Sequence, residues 1–172
     1  MIEIEIDRHD MEQMERTLQR LVPNKIKPAM RAAAKRAITA GRMAGSKEIQ
    51  SVYTAKAGII RRRTKITAVD AGALLKIRGP FEPVRSYEAK KTGGGIAVAI
   101  KRGSSTVVPR SFKMQSGAFV QREGRARLPL RGLYGPSVPQ LFGNAEVADA
   151  VQKRAMEVYR TRLLHELERL MG

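Results

Sequence analysis

The spacing of apolar and polar residues changes period several times along the chain, and each change marks an element. Ile2, Ile4 and Ile6 alternate with Glu3, Glu5 and Asp7, the period-two pattern of a strand with one wet face. Met11, Met14, Leu18 and Leu21 then recur at helical spacing, with Asp7 or Asp10 as the N-cap and Pro23 ending the helix. A second helix is expected to start near Lys27-Pro28, because proline is tolerated in a first turn, and to fade near Tyr53. Its stripe is Met30, Ala33, Ala34, Ala37, Ile38, Gly41, Ala44 and Ile49. These side chains are mostly small, so another element can approach closely.

Thr54 is placed to cap a short helix from Ala55 to about Arg63. From Lys65 the period shortens to that of strands. Ala73–Gly79, Val84–Ala89 and Gly95–Gly103 are strand candidates, with a turn at Gly103-Ser104-Ser105 before another strand at Thr106–Pro109. Residues 118–130 read as a hairpin turning at Glu123-Gly124, and Gly93-Gly94-Gly95 reads as a mobile loop tip. Asn144 is a good N-cap for a last helix from Ala145 to Leu170, whose stripe is Val147, Val151, Ala155, Val158, Tyr159, Leu163, Leu167 and Leu170. Such a rod is about 39 Å long. Either it lies across the sheet or its far end outruns the body and packs on a neighbouring subunit.

The expected class is α+β, with N-terminal helices and a long C-terminal helix packed beside an antiparallel β-sheet. Residues 1–172 are read as a single domain in three stretches: an N-terminal strand and helices at 1–53, a basic β-rich body at 54–135, and a turn with the C-terminal helix at 136–172.

Charge sharpens this division. The net charge is +17. Residues 21–140 hold twenty-five bases and five acids, while 1–20 hold six acids and three bases and 141–172 hold five of each. A field of that size attracts polyanions, whether nucleic acid, an anionic membrane or an acidic protein face. The clusters are Arg61-Arg62-Arg63 with Lys65, Lys90-Lys91, Lys101-Arg102, Arg110 with Lys113, and Arg122, Arg125, Arg127 and Arg131. They suit phosphates or acidic protein surfaces equally.

Cysteine is absent, which excludes a disulfide framework and thiolate metal ligation. The N-terminus has neither the basic nor the apolar region of a signal peptide, and no window approaches the roughly 18 apolar residues of a membrane span. The two histidines, His9 and His165, have no partner at metal-ligand spacing. Asp70, Glu82 and Glu88 are isolated; only the fold could gather them into a metal-dependent nuclease site. Each alternatively answers an arginine. Neither a phosphate loop nor G-x-S-x-G is present. The expectation is no enzyme, no cofactor and no small-molecule substrate.

The least reactive stretch is Arg127–Phe142, RLPLRGLYGPSVPQLF, with no acid, histidine or cysteine. Gly132, Gly135, Pro136 and Pro139 set turns, and Leu133, Tyr134, Pro136, Leu141 and Phe142 hang from a rigid junction between sheet and long helix. They either cap the domain's own core or dock on an adjacent subunit.

YTAKAGIIRRRTKI at residues 53–66, VRSYEAKKTGGGIAVAIKRGSSTVVPRSF at 84–112 and SGAFVQREGRARLPLRGLYGPSVPQLF at 116–142 together resemble the prophage minor tail protein Z family, the tail-completion proteins of long-tailed phages. The most specific part is Arg125 or Arg127 with Leu128-Pro129-Leu130, then Tyr134-Gly135-Pro136-Ser137-Val138-Pro139. The resemblance implies a structural virion protein at the head-proximal end of the tail, in the neck, made in the host cytoplasm and assembled as a homo-oligomer in a hexameric ring. It implies the tail terminator, tail tube and head–tail connector as partners, with packaged DNA passing close by. On this view Arg61, Arg62, Arg63, Lys65, Lys90, Lys91, Lys101, Arg102, Arg125, Arg127 and Arg131 are divided between acidic neighbours and the DNA channel. The competing expectation is a free-standing, sequence-independent nucleic-acid-binding protein.

Overall fold

The computed structural model describes residues 2–4, 23–70 and 72–171. The helical stripe Met11–Leu21, Ile6 and His9 lie outside the described residues. Strand β1 (Ile2–Ile4) is followed by helix α1 (Pro23–Val52), helix α2 (Ala57–Arg63) and strands β2 (Thr64–Val69) and β3 (Gly72–Ile77). Then come β4 (Phe81–Pro83), a 3-10 turn at Val84–Ser86, β5 (Glu88–Thr92), β6 (Gly95–Ala99), β7 (Thr106–Pro109) and β8 (Ser111–Lys113). The chain ends with β9 (Phe119–Arg122), β10 (Leu130–Gly132), β11 (Tyr134–Ser137), α3 (Val138–Phe142) and α4 (Ala145–Met171). The class is α+β, as expected, with the strands divided among four small antiparallel sheets in the orders β1-β3-β2, β5-β6-β7, β10-β9-β8 and β11-β4.

The centre of the molecule is the pair α1 and α4. A Cβ on Gly45 would lie 2.4 Å from Val151 Cγ2, and one on Gly41 would lie 3.1 Å from Ala155 Cβ. Residue numbers therefore rise in opposite directions, and the helices are antiparallel. Two glycines one turn apart let the backbones close on each other, so the small-residue stripe has found its partner. That partner is α4, which packs along α1 rather than across a sheet. Val147, Val151, Ala155, Tyr159 and Leu163 are buried, in line with the predicted stripe. Asn144 Oδ1 accepts from the Glu146 amide at 3.0 Å and caps the helix as expected. One polar residue joins the buried face: Glu166, which accepts from Arg36 at 3.1 Å and Arg169 at 2.8 Å.

Behind α1 lies the sheet β1-β3-β2. Ala73, Leu75 and Ile77 alternate inward along β3 and join Met30, Ala33, Ile38, Ile49, Ile60 and Phe142 in one core. A second, smaller core holds Val84, Ile96 and Val98 between the later sheets, with Val108, Phe119 and Leu133 packed at its edge.

Several local expectations change. Helix α1 begins at Pro23, so Pro23 opens a helix and Pro28 lies inside it. Helix α2 begins at Ala57 without a side-chain cap. Thr54 instead donates its hydroxyl to the Ala99 carbonyl and accepts from the Glu88 amide at 3.1 Å. A cross-sheet carbonyl and amide outcompete the local helix end. Val84–Ala89 is a strand only from Glu88, because the segment first turns through a 3-10 helix. Of the three glycines expected at a loop tip, two form it and the third lies in a strand. Gly93 and Gly94 make the turn of the β5–β6 hairpin, and Gly95 opens β6 opposite Thr92. Gly95 has φ +142, and a Cβ there would fall 2.1 Å from the Val108 carbonyl oxygen, so only glycine fits. Strands β9 and β10 do form a hairpin, but its connection spans residues 123–129 rather than a tight turn at Glu123-Gly124.

Candidate interaction surface

The stretch Arg127–Phe142 is strand, strand and short helix. Strand β11 pairs with β4 through Tyr134–Pro83 and Gly135–Glu82. Ser137 and Gln140 form a reciprocal capping box at α3: the Ser137 amide donates to Gln140 Oε1 at 2.9 Å, and the Gln140 amide donates to Ser137 Oγ at 3.4 Å. The Ser137-x-x-Gln140 spacing is the signal in the sequence that marks this helix start. From it the last two apolar residues turn inward. Leu141 and Phe142, expected either to cap the core or to dock on a neighbour, are 2% and 0% exposed and belong to the protein's own core. The reason is local. The turn that follows the box brings the Phe142 ring against Gly45, where it shares with Val151 the space that a Cβ would need. Pro136 is half-buried and offers its carbonyl to the Tyr87 hydroxyl at 2.6 Å. Leu133 is half-buried, and Tyr134 is exposed.

The Tyr87 ring lies against Gly135, where a Cβ would come within 2.7 Å of Cε2. Burial, followed by the charge of Glu82 and the neighbouring Tyr53, pushes its phenol from the ordinary 10.0 up to about 12. Glu82 is itself 2% exposed, and its Oε1 accepts from Arg63 Nε at 2.6 Å. Arg63, Glu82, Tyr87 and Pro136 thus tie the end of α2 to β4, the 3-10 turn and β11.

Of the contact residues expected from charge, Arg63 also neutralises a buried carboxylate. Arg102 is exposed but is tied to the backbone. Its Nε donates to the Gln50 carbonyl at 2.6 Å and its amide to the Val52 carbonyl at 2.9 Å. It satisfies the last carbonyls of α1, where a positive charge also suits the helix dipole. The other expected bases are exposed: Arg61 and Arg62 on the last turn of α2, Lys65 on β2, Lys90 and Lys91 on β5, Lys101 after β6, Arg125 and Arg127 in the β9–β10 connection, and Arg131 on β10. Lys65 stands opposite Lys76 in the β2–β3 register, and Glu3 of β1 pairs with Lys76 from the other side. Arg122 lies 5.0 Å from the centre of the Phe112 ring, a cation–π contact.

The acids are held in different places. Asp70, in the β2–β3 turn, is exposed and meets Lys27 Nζ at 3.3 Å and Arg31 Nη2 at 3.8 Å. Glu82 is buried with Arg63, and Glu88 is exposed on β5. Among the described residues no group of three or more His, Cys, Asp or Glu is placed to hold a metal ion, and no described helix is long and apolar enough to cross a membrane.

Of two exposed aromatics, the sequence pointed to Tyr134 but not to Phe81. Phe81 and Tyr134, on the paired strands β4 and β11, are 60% and 64% exposed. Phe81, between Pro80 and Glu82, gives no periodic signal in a three-residue strand; the β4–β11 pairing sets it opposite Ser137, with Tyr134 opposite Pro83, and the two rings line one hollow.

Compared with protein-family models, with curated proteins and with solved structures, the chain matches none.

Proposed function

We propose that this chain is a non-catalytic structural protein of a phage virion, completing the head-proximal end of the tail by docking as an oligomer against its neighbours. The reading rests on the resemblance of residues 53–142 to tail-completion proteins. The observation that carries it is the array of exposed bases on the β-rich body: Arg61, Arg62, Lys65, Lys90, Lys91, Lys101, Arg125, Arg127 and Arg131 point into solvent, while residues 21–140 hold only five acids, of which Glu82 is buried with Arg63. A surface of that sign, carried on short cross-braced strands, suits acidic protein faces and loses little freedom on docking. In this reading the ring is hexameric, its partners are the tail terminator, tail tube and connector, and some of the bases face packaged DNA. Sedimentation of the purified chain, alone and with tail tubes, tests it. A ring-sized species or co-sedimentation with the tubes is expected. A lone particle that is absent from purified virions, or measurable turnover by the isolated chain, overturns it.

A second reading, sequence-independent nucleic-acid binding by the free chain, is favoured by the same exposed bases. It requires tight binding of the monomer to duplex DNA that weakens linearly with the logarithm of salt concentration. The docking reading requires weak binding by the monomer.

A further inference from the structure

We infer that the groove flanked by Leu133 and Tyr134 is a docking site for an acidic segment of a partner protein, which inserts apolar side chains into it. Such a site goes beyond tail assembly and stands or falls separately from it.

Two hollows meet at Leu133 and Tyr134. The first, about 410 Å³, is lined by Val84, Val98, Ile100, Val108 and Leu133, with Lys101 the charged residue in its wall. Val84 and Val98 are two of the three buried residues of the smaller core, so the floor of this hollow is the core itself, open on one side. The second, about 630 Å³, lies between Phe81 and Tyr134, with Gln121 and Arg131 in its wall.

Tyr134 is common to both walls and is exposed. A Cβ on Gly132 would sit 2.8 Å from its Cε2, so the ring lies over bare backbone. A positioned, half-open aromatic beside an apolar hollow is the usual make-up of a binding hot spot.

Charge selects the occupant. Lys101 and Arg131 contribute positive charge, and no acid among the described residues lines either hollow. Glu82, the chain neighbour of Phe81, is buried against Arg63 and cannot answer them. The complement of such a wall is a carboxylate-bearing partner. The aliphatic lining of the first hollow fits branched alkyl side chains. In that hollow a nucleobase would find a ring to stack on only at its edge, at Tyr134, so there a protein segment is favoured over a nucleic acid.

The test begins with a random peptide library selected on the full chain, followed by anisotropy titration of the enriched, fluorescein-labelled peptide. Enriched sequences should place aspartate or glutamate beside apolar residues. Tyr134→Ala and Lys101→Glu should each weaken that peptide about tenfold or more. Gly132→Ala, which pushes the ring aside, should also weaken it, and Lys153→Glu on α4 should not. Urea midpoints of the variants report that they remain folded. Failure to enrich any peptide, enrichment without excess acid, or affinity untouched by Tyr134→Ala and Lys101→Glu overturns the inference. So does a labelled oligothymidylate that displaces the peptide and loses its own binding on Tyr134→Ala, because the face would then belong to nucleic acid.

Discussion

Arg63 Nε and Glu82 Oε1 lie 2.6 Å apart, with the carboxylate buried and the arginine side chain about one-third open to water. Removing one partner of such a pair leaves a buried charge unanswered. Arg63→Ala is therefore expected to destabilise the fold by about 2–3 kcal/mol, the lower end of the range for buried pairs because water reaches the guanidinium. Arg61→Ala and Arg62→Ala, in the same turn of the helix, should stay within about 0.5 kcal/mol. Urea denaturation of the three variants checks the contrast.

Alkaline titration should expose Tyr87. Its folded-state pKa of about 12 lies above the ordinary 10.0, so the folded state holds the phenol proton more tightly. The associated stability is fully present below pH 10 and is lost as pH rises towards 12. Tyr87→Phe should flatten that decline. It should also lower stability at neutral pH by about 1–2 kcal/mol, because the Pro136 carbonyl loses its donor. Unfolding curves at a series of alkaline pH values measure both effects.

Two helix glycines, Gly45 in α1 and Gly58 in α2, should respond to alanine in opposite directions. A Cβ on Gly45 would meet Val151 at 2.4 Å and Phe142 at 2.7 Å, so Gly45→Ala should cost about 1–3 kcal/mol through forced separation of α1 and α4. Gly58 has nothing within 4 Å of a new Cβ, and Gly58→Ala should stabilise by up to about 1 kcal/mol. Thermal or urea unfolding would show the two shifts with opposite sign.

Charge reversal at Arg125 and Arg127 should leave folding unchanged within about 0.5 kcal/mol, because both side chains are exposed in the β9–β10 connection. The same double variant should make any DNA binding less salt-dependent, the slope falling by roughly one for each phosphate that the two arginines neutralise. An unfolding midpoint and a salt series on one protein preparation separate the two roles.

Periodicity, punctuation and caps were enough to read much of this molecule. The α+β class, the inward stripe of α4, its Asn144 cap, the β6 strand and the close-packing face of α1 all follow from residues within a few positions of one another. What local reading could not supply was the partner of each group. Thr54 has the chemistry of a cap, yet its hydroxyl serves Ala99, and Glu88 donates to it. Arg63 and Arg102 look like their neighbours in sequence, yet one neutralises Glu82 and the other bonds the last carbonyls of α1. Leu141 and Phe142 look like the exposed Tyr134, yet both are buried in the core, Phe142 beside Gly45, while Tyr134 stays outside over Gly132. Hydrophobic period and cap preference are set by backbone geometry over one or two turns, so they are written locally. Whether a charge is paired or an apolar side chain is covered depends on which distant segment arrives beside it, and only the packed tertiary structure decides that.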